Sequence, residues 1–562
     1  MTRSTAASLA VPAALLSMCM SVGCSDSRAP EADLILVNAK VVTLDSSNSI
    51  AGAIAIRGDR IQRVGSNREV LAHARDRTRI LDLRGKTVVP GFNDAHLHFE
   101  SGGFSLTEVD LRGVARMEEI ERRIRSEARA LPEGSWIRGR GWDHTLFPGG
   151  RWPTREPLDN WAPRNPVYLR RVCGHAAWVN SAALEAAGIA RNTPDPEGGE
   201  IARDAGGVPT GILKENACDL VKDVIPERSP EERRRAARAA LSEAARLGVT
   251  SVQDMGTSLE TMAVWEDLRN RGELTVRIGA SPLVEEGRDS LPSGWDRSRF
   301  QDTWLRVGPV KMYSDGALGA ATAALLKPYQ DHPTSRGMLV TPAETLGKLV
   351  GEAHRSSLQV AIHAIGDRGN RVVLDAIEKA TLSSPRPDSR HRVEHAQVLA
   401  PEDIPRFVEL GIIASMQPTH CTSDMRWAED RLGPVRVRGA YAWRSLLDCG
   451  TDLAFGTDWP IEHLDPLLGL YAAVTRQDAE GHPPGGWYPD QCITLEEALR
   501  AYTLGSAYAS FEEDIKGSIE EGKLADLVVL SRPVMEIPTG ELLETEVVMT
   551  IVGGRIVFQK ES

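Results

Sequence analysis

The amino-acid sequence predicts an α/β protein whose centre is a (β/α)8 barrel of the TIM type. Short apolar runs recur through the middle of the chain, and most of them end in polar residues. Such runs are typical of parallel strands that are buried on both faces. Helical patterns lie between several of them, and eight strand–helix repeats argue for a barrel. The eight runs cover residues 89–98, 249–255, 276–280, 307–315, 358–367, 392–397, 412–418 and 453–458, with helical patterns at 230–247, 344–356 and 369–380.

The composition is that of a globular protein. Of the 562 residues, 41% are hydrophobic and 26% are charged, which excludes a wholly disordered chain or a fibre. The length exceeds that of a usual single domain, so we expect one large core with an accessory domain or an insertion. The net charge of −12 has the wrong sign for electrostatic binding to nucleic acid or to anionic lipid. Neither is therefore expected to be the main partner.

The first residues of the chain have the pattern of an export signal. Arg3 supplies a positive charge, and a mostly apolar run follows at residues 6–20, too short to span a bilayer. Cys24 follows Gly23, as in bacterial lipoprotein signals. We predict a signal peptide at residues 1–23, with Cys24 either lipidated or incidental after ordinary cleavage. Both alternatives predict an exported protein, in the periplasm or lipid-anchored to a bacterial membrane.

Both ends of the chain carry short β segments in place of the strand–helix alternation. Residues 32–90 contain several such segments with a hairpin signal at 57–60, and residues 515–560 have the same character. We predict that the two ends pair into one satellite domain, a small β-sandwich. The barrel domain then covers residues 91–514.

Residues 104–229 do not fit the repeat and are predicted to form an insertion after the first barrel strand. An insertion at the carboxyl end of a barrel strand overhangs the face where barrel enzymes carry their active sites. The insertion is rich in tryptophan, which suits either a pocket for an apolar group or simply its own core. These tryptophans are Trp136, Trp142, Trp152, Trp161 and Trp178.

Two histidines close the first apolar run. His96 and His98 are two residues apart, so on a strand both side chains point to the same face. Two neighbouring imidazoles aimed at one point suit a divalent metal ion. The His-x-His string alone is common, but its position at a strand end, after Pro90 and Gly91, favours a metal site.

Four further runs contain a residue that can bind a metal ion: Lys311, His363, His395 and Asp458. Each has an ordinary structural explanation when taken alone, as a surface lysine, a hydrogen-bonded core histidine or a helix cap. A polar residue at the end of an apolar strand is costly, however, unless it is paired or ligated. Six such residues on one face of a barrel therefore predict a metal site.

The six positions resemble those of the metal-dependent amidohydrolase superfamily, with His-x-His on strand 1, Lys on strand 4, His on strands 5 and 6, and Asp on strand 8. The closer resemblance is to the amidohydrolase-3 branch, which includes YtcJ-like proteins and N-substituted formamide deformylases. It extends over nearly all of residues 32–558. The segments that carry it are 89–96, 311–319, 363–367, 394–395, 415–420 and 517–527.

The resemblance implies a role for each of the six residues. His96, His98 and Asp458 would bind the more buried metal ion. Lys311, carboxylated on its amine, would bridge to a second ion held by His363 and His395. Burial favours a neutral lysine amine, which can take up CO2 and become an anionic oxygen ligand. Zn²⁺ is the first choice for such ligands, and the resemblance is compatible with either one or two bound metal ions.

The same site suggests a mechanism. A bound metal ion lowers the pKa of a water to about 7, which provides hydroxide at neutral pH. Asp458 is the predicted general base, returning the proton to the leaving nitrogen. A second metal ion, His175 or His420 would polarise the substrate carbonyl. For His175 and His420 the alternative is a loop histidine bonded to the backbone.

We therefore predict an exported metal-dependent hydrolase that cleaves a non-peptide C–N bond in an amide, an N-substituted formamide or a cyclic amide. One alternative is a deaminase that uses the same site. Another is a non-catalytic lipoprotein that keeps the barrel as a ligand receptor. The predicted partner is a small-molecule amide, with membrane contact only through a lipid anchor at Cys24. Assembly into a homo-oligomer stays open.

Overall fold

The structure is a computed structural model that describes residues 31–171, 176–196 and 198–561. The predicted signal peptide at residues 1–23, Cys24 and His175 lie outside the described residues. Within these ranges, every helix is too short or too polar to cross a membrane.

Two sheets of parallel strands form the centre of the molecule. Their strands are almost entirely buried, as expected when helices cover a parallel sheet. The first sheet, called the first arc, has the strand order Leu305–Val307, Arg277–Pro282, Val249–Thr257, Phe92–Leu97. The second sheet, called the second arc, has the order Val310–Tyr313, Val360–Ala364, Arg392–His395, Ile413–Met416, Leu453–Phe455.

The two arcs touch at both of their edges. At one edge Leu283 and Lys311 form an isolated parallel bridge. At the other edge the backbone N–H of Asp458 donates to the carbonyl oxygen of His96 at 2.7 Å, and that of His98 donates to Trp459 at 2.8 Å. Four of the residues predicted to bind metal, His96, His98, Lys311 and Asp458, therefore lie at or next to the edges where the arcs meet.

Each of the eight predicted runs overlaps one of these strands, but two runs are divided. Residues 89–98 belong to two sheets, because the chain leaves the strand Thr87–Pro90 at Gly91 and enters Phe92–Leu97. A Cβ at Gly91 would overlap the side chain of Thr250, so only glycine fits this crossing. Residues 307–315 are divided at Gly308 and Pro309, and the two halves belong to different arcs.

Helices lie between the strands of the arcs. The longest begin with clear caps; Ser229, for example, forms a capping box with Glu232 at the start of Pro230–Arg246. Gly103 lets the helix Phe99–Thr107 approach the backbone of Ala236. The helices of this layer are Phe99–Thr107, Pro230–Arg246, Leu259–Asn270, Ala343–Arg355, Asp367–Ser383, Ile404–Glu409, Pro418–Asp424, Ala428–Arg436, Trp443–Asp448, Pro466–Thr475, Leu495–Arg500 and Ser506–Tyr508, with shorter turns at Pro401–Asp403, Val437–Gly439, Pro489–Gln491 and Ala501–Gly505.

Strands from the two ends of the chain share one sheet, because Leu527–Leu530 pairs with Thr87–Pro90 in antiparallel register. Asp526, next to this pairing, receives two hydrogen bonds from Arg277 of the first arc, at 2.6 and 2.9 Å. The six-stranded sheet has the order Arg555–Gln559, Val547–Val552, Leu527–Leu530, Thr87–Pro90, Lys40–Val42, Ile50–Ala51. A four-stranded sheet shares its core and has the order Arg60–Gly65, Ala53–Arg57, Leu34–Val37, Arg79–Asp82. The helix Asn67–Leu71 follows Arg60–Gly65 in sequence, and the turn Thr539–Glu544 precedes Val547–Val552.

The segment between the helices Phe99–Thr107 and Pro230–Arg246 forms a sheet with its own core. Trp142 and Trp178 are fully buried in that core and Trp161 nearly so, whereas Trp152 is 40% exposed. Most of these tryptophans therefore serve packing. The sheet has the order Gly199–Arg203, Pro209–Glu215, Ala176–Val179, Val167–Arg171, Ile137–Trp142, Val109–Asp110, and its helices and turns are Met117–Ala130, His144–Leu146, Pro148–Gly150, Arg155–Trp161, Ser181–Ala186, Asn216–Cys218 and Asp219–Lys222.

Candidate metal centre

The carboxyl ends of five parallel strands bring the predicted ligands together. His96 and His98 come from the first arc, and Lys311, His363, His395 and Asp458 come from the second arc or the loop after it. Ligating atoms of His96, His395 and Asp458 lie within 4.8 Å of one another, and all three residues are buried. The ring centroids of His363 and His395 are 4.5 Å apart, and those of His96 and His98 are 5.7 Å apart.

A close approach of two chain segments places Asp458 beside His96. A Cβ at Gly456 would overlap the backbone nitrogen of His96 and lie 2.7 Å from a carboxylate oxygen of Asp94. That carboxylate accepts hydrogen bonds from the backbone of His96 and from Thr457, both at 3.1 Å. Asp458 itself adopts a left-handed backbone conformation with φ of 56°. This conformation is uncommon in non-glycine residues, and it recurs at functional sites.

Asp458 is the centre of the polar contacts. Its Oδ1 lies 3.2 Å from His98 Nε2 and 3.6 Å from His96 Nε2, and its Oδ2 lies 3.2 Å from His420 Nε2. Burial alone would raise the pKa of Asp458, but the hydrogen bond from His420 and the nearby imidazoles of His98 and His96 hold it well below the usual range. Asp458 is therefore an ionised carboxylate at neutral pH.

Lys311 is fully buried, and its Nζ has no hydrogen-bond partner among the described residues. The Nζ lies 4.9 Å from the centre of the Tyr313 ring. Burial lowers the pKa of this amine to about 8, although the charges of Glu394 and Asp458 act in the opposite direction. The amine is thus closer to its neutral, nucleophilic form than an exposed lysine is.

Glu394 and Gln417 fix two of the histidine rings. Glu394 Oε2 accepts from His96 Nδ1 at 2.6 Å, so the proton sits on Nδ1 and the lone pair of Nε2 faces the site. Gln417 Oε1 accepts from His395 Nδ1 at 2.7 Å in the same way. Arg392, also fully buried, donates to Glu394 at 2.8 Å. Sequence reasoning missed these roles, although a buried Arg-x-Glu on an apolar strand is a signal for an internal ion pair.

His363 is held by the loop that follows Lys311. Its Nε2 donates to the carbonyl oxygen of Gly316 at 3.3 Å and lies 3.8 Å from Asp315 Oδ1. Asp315 also accepts backbone hydrogen bonds from Ala324, Ile365 and Gly366 at 2.8 to 3.0 Å. Asp315 therefore fixes the loops around His363. Asp367 begins a helix and accepts from the backbone of Leu326 at 2.7 Å.

The imidazoles have two different electrostatic environments. Burial and the charge of Lys311 lower the pKa of His96 to about 4 and that of His363 to about 3, and the pKa of His395 is also lowered. These rings are neutral, which is the form that binds metal. His420 lies between Asp458 and Glu462; burial opposes its protonation, but the two carboxylates raise its pKa to about 10. His420 is thus a cation that donates to both neighbours.

The donor set fits a metal ion. Three buried atoms at this site have no hydrogen-bond partner among the described residues: His96 Nε2, Asp458 Oδ1 and Lys311 Nζ. Leaving such atoms unpaired is costly, and the two that offer lone pairs, His96 Nε2 and Asp458 Oδ1, suit a bound cation. Imidazole nitrogens and carboxylate oxygens are ordinary ligands of divalent ions such as zinc.

Comparison with known proteins covers nearly the whole chain. The family described as "Amidohydrolase family" matches residues 79–558. The chain is 37% identical over 541 residues to the protein LONG AFTER FAR-RED 3 of Arabidopsis thaliana, covering 94% of this chain and 92% of that protein. It is 32% identical over 547 residues to the N-substituted formamide deformylase of Arthrobacter pascens, covering 94% and 98%. Among solved structures, an uncharacterized metal-dependent hydrolase from Pyrococcus horikoshii OT3 has a TM-score of 0.75 at 31% identity, covering 90% of this chain and 99% of that one.

Proposed function

The chain belongs to the amidohydrolase family, and we propose that this member is an exported zinc hydrolase that cleaves a non-peptide C–N bond in an amide, an N-substituted formamide or a cyclic amide. One observation carries the proposal. The buried atoms His96 Nε2, Asp458 Oδ1 and Lys311 Nζ converge without partners at the ends of parallel strands. Such a cluster is unfavourable in a purely structural role and suits a site that holds a metal ion and does chemistry.

We also propose a closed (β/α)8 barrel built from the two arcs, with a satellite β-sandwich built from the two terminal sheets. The contacts at both arc edges, one between Leu283 and Lys311 and one between Asp458 and His96, support closure. The core shared by the two terminal sheets supports the sandwich. The active site then lies at the carboxyl face of the barrel, where barrel enzymes carry their sites.

In this proposal His96, His98 and Asp458 would hold one zinc ion, and His363 and His395 would hold a second if two are bound. When bound, the metal supplies Lewis acidity and lowers the pKa of a coordinated water to about 7. Lys311 would contribute an oxygen ligand after its neutral Nζ attacks CO2. That step forms an N–C bond, releases one proton to solvent and leaves a carbamate with an anionic oxygen pair.

The protein's own residues handle the protons. Asp458 is ionised and buried, so Oδ1 is placed to accept a proton from the attacking water and to return it to the leaving nitrogen. His420, held between Glu462 at 3.4 Å and Asp458 at 3.2 Å, is a donor whose direction is fixed on both sides. In the proposed reaction Nδ1–H stays with Glu462, and Nε2–H turns from Asp458 to the substrate carbonyl oxygen as negative charge develops there. His175, the second predicted carbonyl-binding residue, stays a prediction.

Sequence similarity supports formamides as the first substrates to test, since one relative at 32% identity is an N-substituted formamide deformylase. The screen uses N-alkyl and N-aryl formamides, simple amides, cyclic amides and amidine-type nitrogen heterocycles. Release of formate and free amine would support the formamide proposal. Release of ammonia from the heterocycles alone would favour a deaminase.

Metal analysis and one matched pair of variants test the catalytic proposal. Elemental analysis should give one or two zinc ions per chain, and chelation should abolish hydrolysis until metal is restored. Asp458→Asn should lower kcat by at least about 10²-fold, the usual size of a lost general base. Asp452→Asn, before the same strand at its amino end, should keep wild-type activity. Full activity in Asp458→Asn would contradict the assignment.

Export is proposed from the apolar run at residues 6–20 and the cysteine at position 24. Cell fractionation combined with radiolabelled palmitate tests it. Label that is incorporated in the wild type and lost in Cys24→Ser would support a lipid anchor. A protein that is exported without label would support simple secretion, and a protein that stays in the cytoplasm at full length would refute export.

A further inference from the structure

A cavity lies at the amino ends of the parallel strands, on the opposite side from the candidate metal-binding residues. Gly308 and Pro309, just before one strand, and Gln359, just before the next, line it. The volume of this cavity is about 280 Å³. Its inner wall includes Gln253, which donates to the carbonyl oxygen of Ser506 at 2.9 Å and accepts from Arg392. The wall therefore separates this cavity from the metal centre.

The cavity is unusual because three arginines line it: Arg297, Arg306 and Arg386. All three are half-buried, and of these only Arg306 forms an ion pair within the described ranges, with Glu512 at 3.0 Å. Glu512 is already shared with the buried Lys516, which lies 2.8 Å from its other oxygen. Glu512 is thus the one carboxylate among the described lining residues, and the three arginines leave the cavity with an excess of positive charge.

The neighbouring carboxylate does not remove this excess. Asp388 acts on Arg386 electrostatically, but both of its oxygens already accept hydrogen bonds from Arg390 at 2.7 and 3.2 Å. Burial, followed by the charges of Arg306 and Arg386, lowers the pKa of Arg297. Since arginine stays protonated in proteins, the three guanidinium groups repel one another. A bound anion would reduce this repulsion and so stabilise the cavity.

The guanidinium groups also keep unused donors. Arg297 donates through Nη2 alone, to the carbonyl oxygens of Val307 at 3.2 Å and Gly308 at 2.8 Å. Arg386 donates through Nη1 alone, to Leu358 at 3.2 Å. Their other N–H groups have no acceptor in the part of the chain that the structure describes. Forked N–H pairs of this type match the oxygens of phosphate and carboxylate groups.

We propose that this cavity is a binding site for a phosphate-type dianion, either free phosphate or the phosphate group of a larger molecule. Two negative charges would offset most of the excess positive charge. The three arginines approach from different chain segments, and this arrangement suits a tetrahedral group with several oxygens better than a planar carboxylate. The volume is large enough for a phosphate group and further atoms of a larger molecule.

Calorimetric titration of inorganic phosphate into the metal-loaded mature protein, at constant ionic strength, tests the proposal. Arg297→Ala and Arg386→Ala should each weaken binding at least about tenfold, equal to about 1.4 kcal/mol. Arg288→Ala should leave it unchanged, because this side chain is 70% exposed and lies outside the cavity. Arg297→Lys, which keeps the charge but not the fork, should give an intermediate affinity.

Melting curves of each variant test whether the fold is retained. This control is needed because Arg297 also donates hydrogen bonds to two backbone carbonyl oxygens. A parallel titration with phenyl phosphate distinguishes the two sources. Equal affinity indicates free phosphate, and tighter binding of the ester indicates the phosphate of a larger molecule. Absence of phosphate binding in the wild type would overturn the proposal. So would binding that both alanine variants retain unchanged, because the phosphate would then lie elsewhere, as at the metal centre.

Discussion

Replacing Glu394 with glutamine isolates the contribution of one buried charge to both the fold and the metal site. Glu394 is fully buried and receives hydrogen bonds from Arg392 at 2.8 and 3.1 Å and from His96 at 2.6 Å. Burial alone would raise the pKa of Glu394, but Arg392 and His96 lower it well below its usual range. The variant keeps the shape of the side chain and removes a negative charge that is present at neutral pH.

Two effects of different origin follow from this substitution. Arg392 keeps only neutral acceptors, the carbonyl oxygen of Ala95 at 2.7 Å, Ser415 Oγ at 3.0 Å and Gln253. Removing one partner of a buried ion pair costs about 3–5 kcal/mol, so the metal-free protein should lose stability of that size. The His96 ring also loses its carboxylate partner. Such changes weaken metal binding about 10- to 100-fold, or about 1.4–2.8 kcal/mol.

Urea unfolding of the metal-free protein measures the first effect, and competition with a zinc chelator measures the second. Glu378→Gln serves as the control, because Glu378 is about half exposed and pairs with Arg406 at 2.7 Å. That surface pair should contribute no more than about 1 kcal/mol. A Glu394→Gln protein as stable as the control variant would refute the argument about Arg392. Unchanged zinc affinity would refute the argument that Glu394 orients His96.

Three further predictions concern packing, pH and the metal ion. Gly456→Ala should destabilise the protein by about 1–3 kcal/mol in urea unfolding and weaken zinc binding, because a Cβ would overlap the His96 backbone. The control is Gly347→Ala, at a helical position with open space, which should leave the stability unchanged or increase it. Lys516 and Arg306 lower the pKa of Glu512 from 4.5 to about 2 against the effect of burial, so its contribution is complete above pH 4.5 and is lost as the pH falls towards 2. Wild type should therefore lose about 2 kcal/mol more stability than Glu512→Gln between pH 6 and pH 3, and equal losses in urea titrations would contradict this. Chelation should lower the melting temperature reversibly, since a ligand present at 1,000 times its Kd adds about 4 kcal/mol, and an unchanged melting curve would count against a tightly bound ion.

Local sequence patterns predict polar side chains that the structure brings together at one site, among them His96, His395 and Asp458. The spacing of His96 and His98 and the polar ends of the other apolar runs are properties of short segments. The eight predicted runs each overlap a strand, because strand burial on both faces leaves a continuous apolar run in the sequence. His175 could not be placed in the same way, since it lies outside the described residues.

The sequence does not show that the runs 89–98 and 307–315 are each divided between two sheets, because an apolar run does not indicate which sheet a segment joins. Gly91 marks the first division only through its contact with Thr250, which is distant in sequence. The tryptophans of the insertion likewise suit a pocket or a core equally well until the packing is known. Burial of Trp142 and Trp178 decides in favour of the core.

The sequence by itself therefore determined the α/β character of the chain and the polar residue types at the strand ends, because hydrophobic periodicity and strand ends are local. Only the tertiary structure decided how those residues are held. Glu394 and His96 are 298 positions apart, and the arginines at the opposite ends of the strands come from separate segments. Hydrogen bonds and charges act between groups that folding brings together, and local patterns do not encode which groups those are. The hydrogen bonds that orient the histidine rings and the cavity lined by three arginines are both consequences of that assembly.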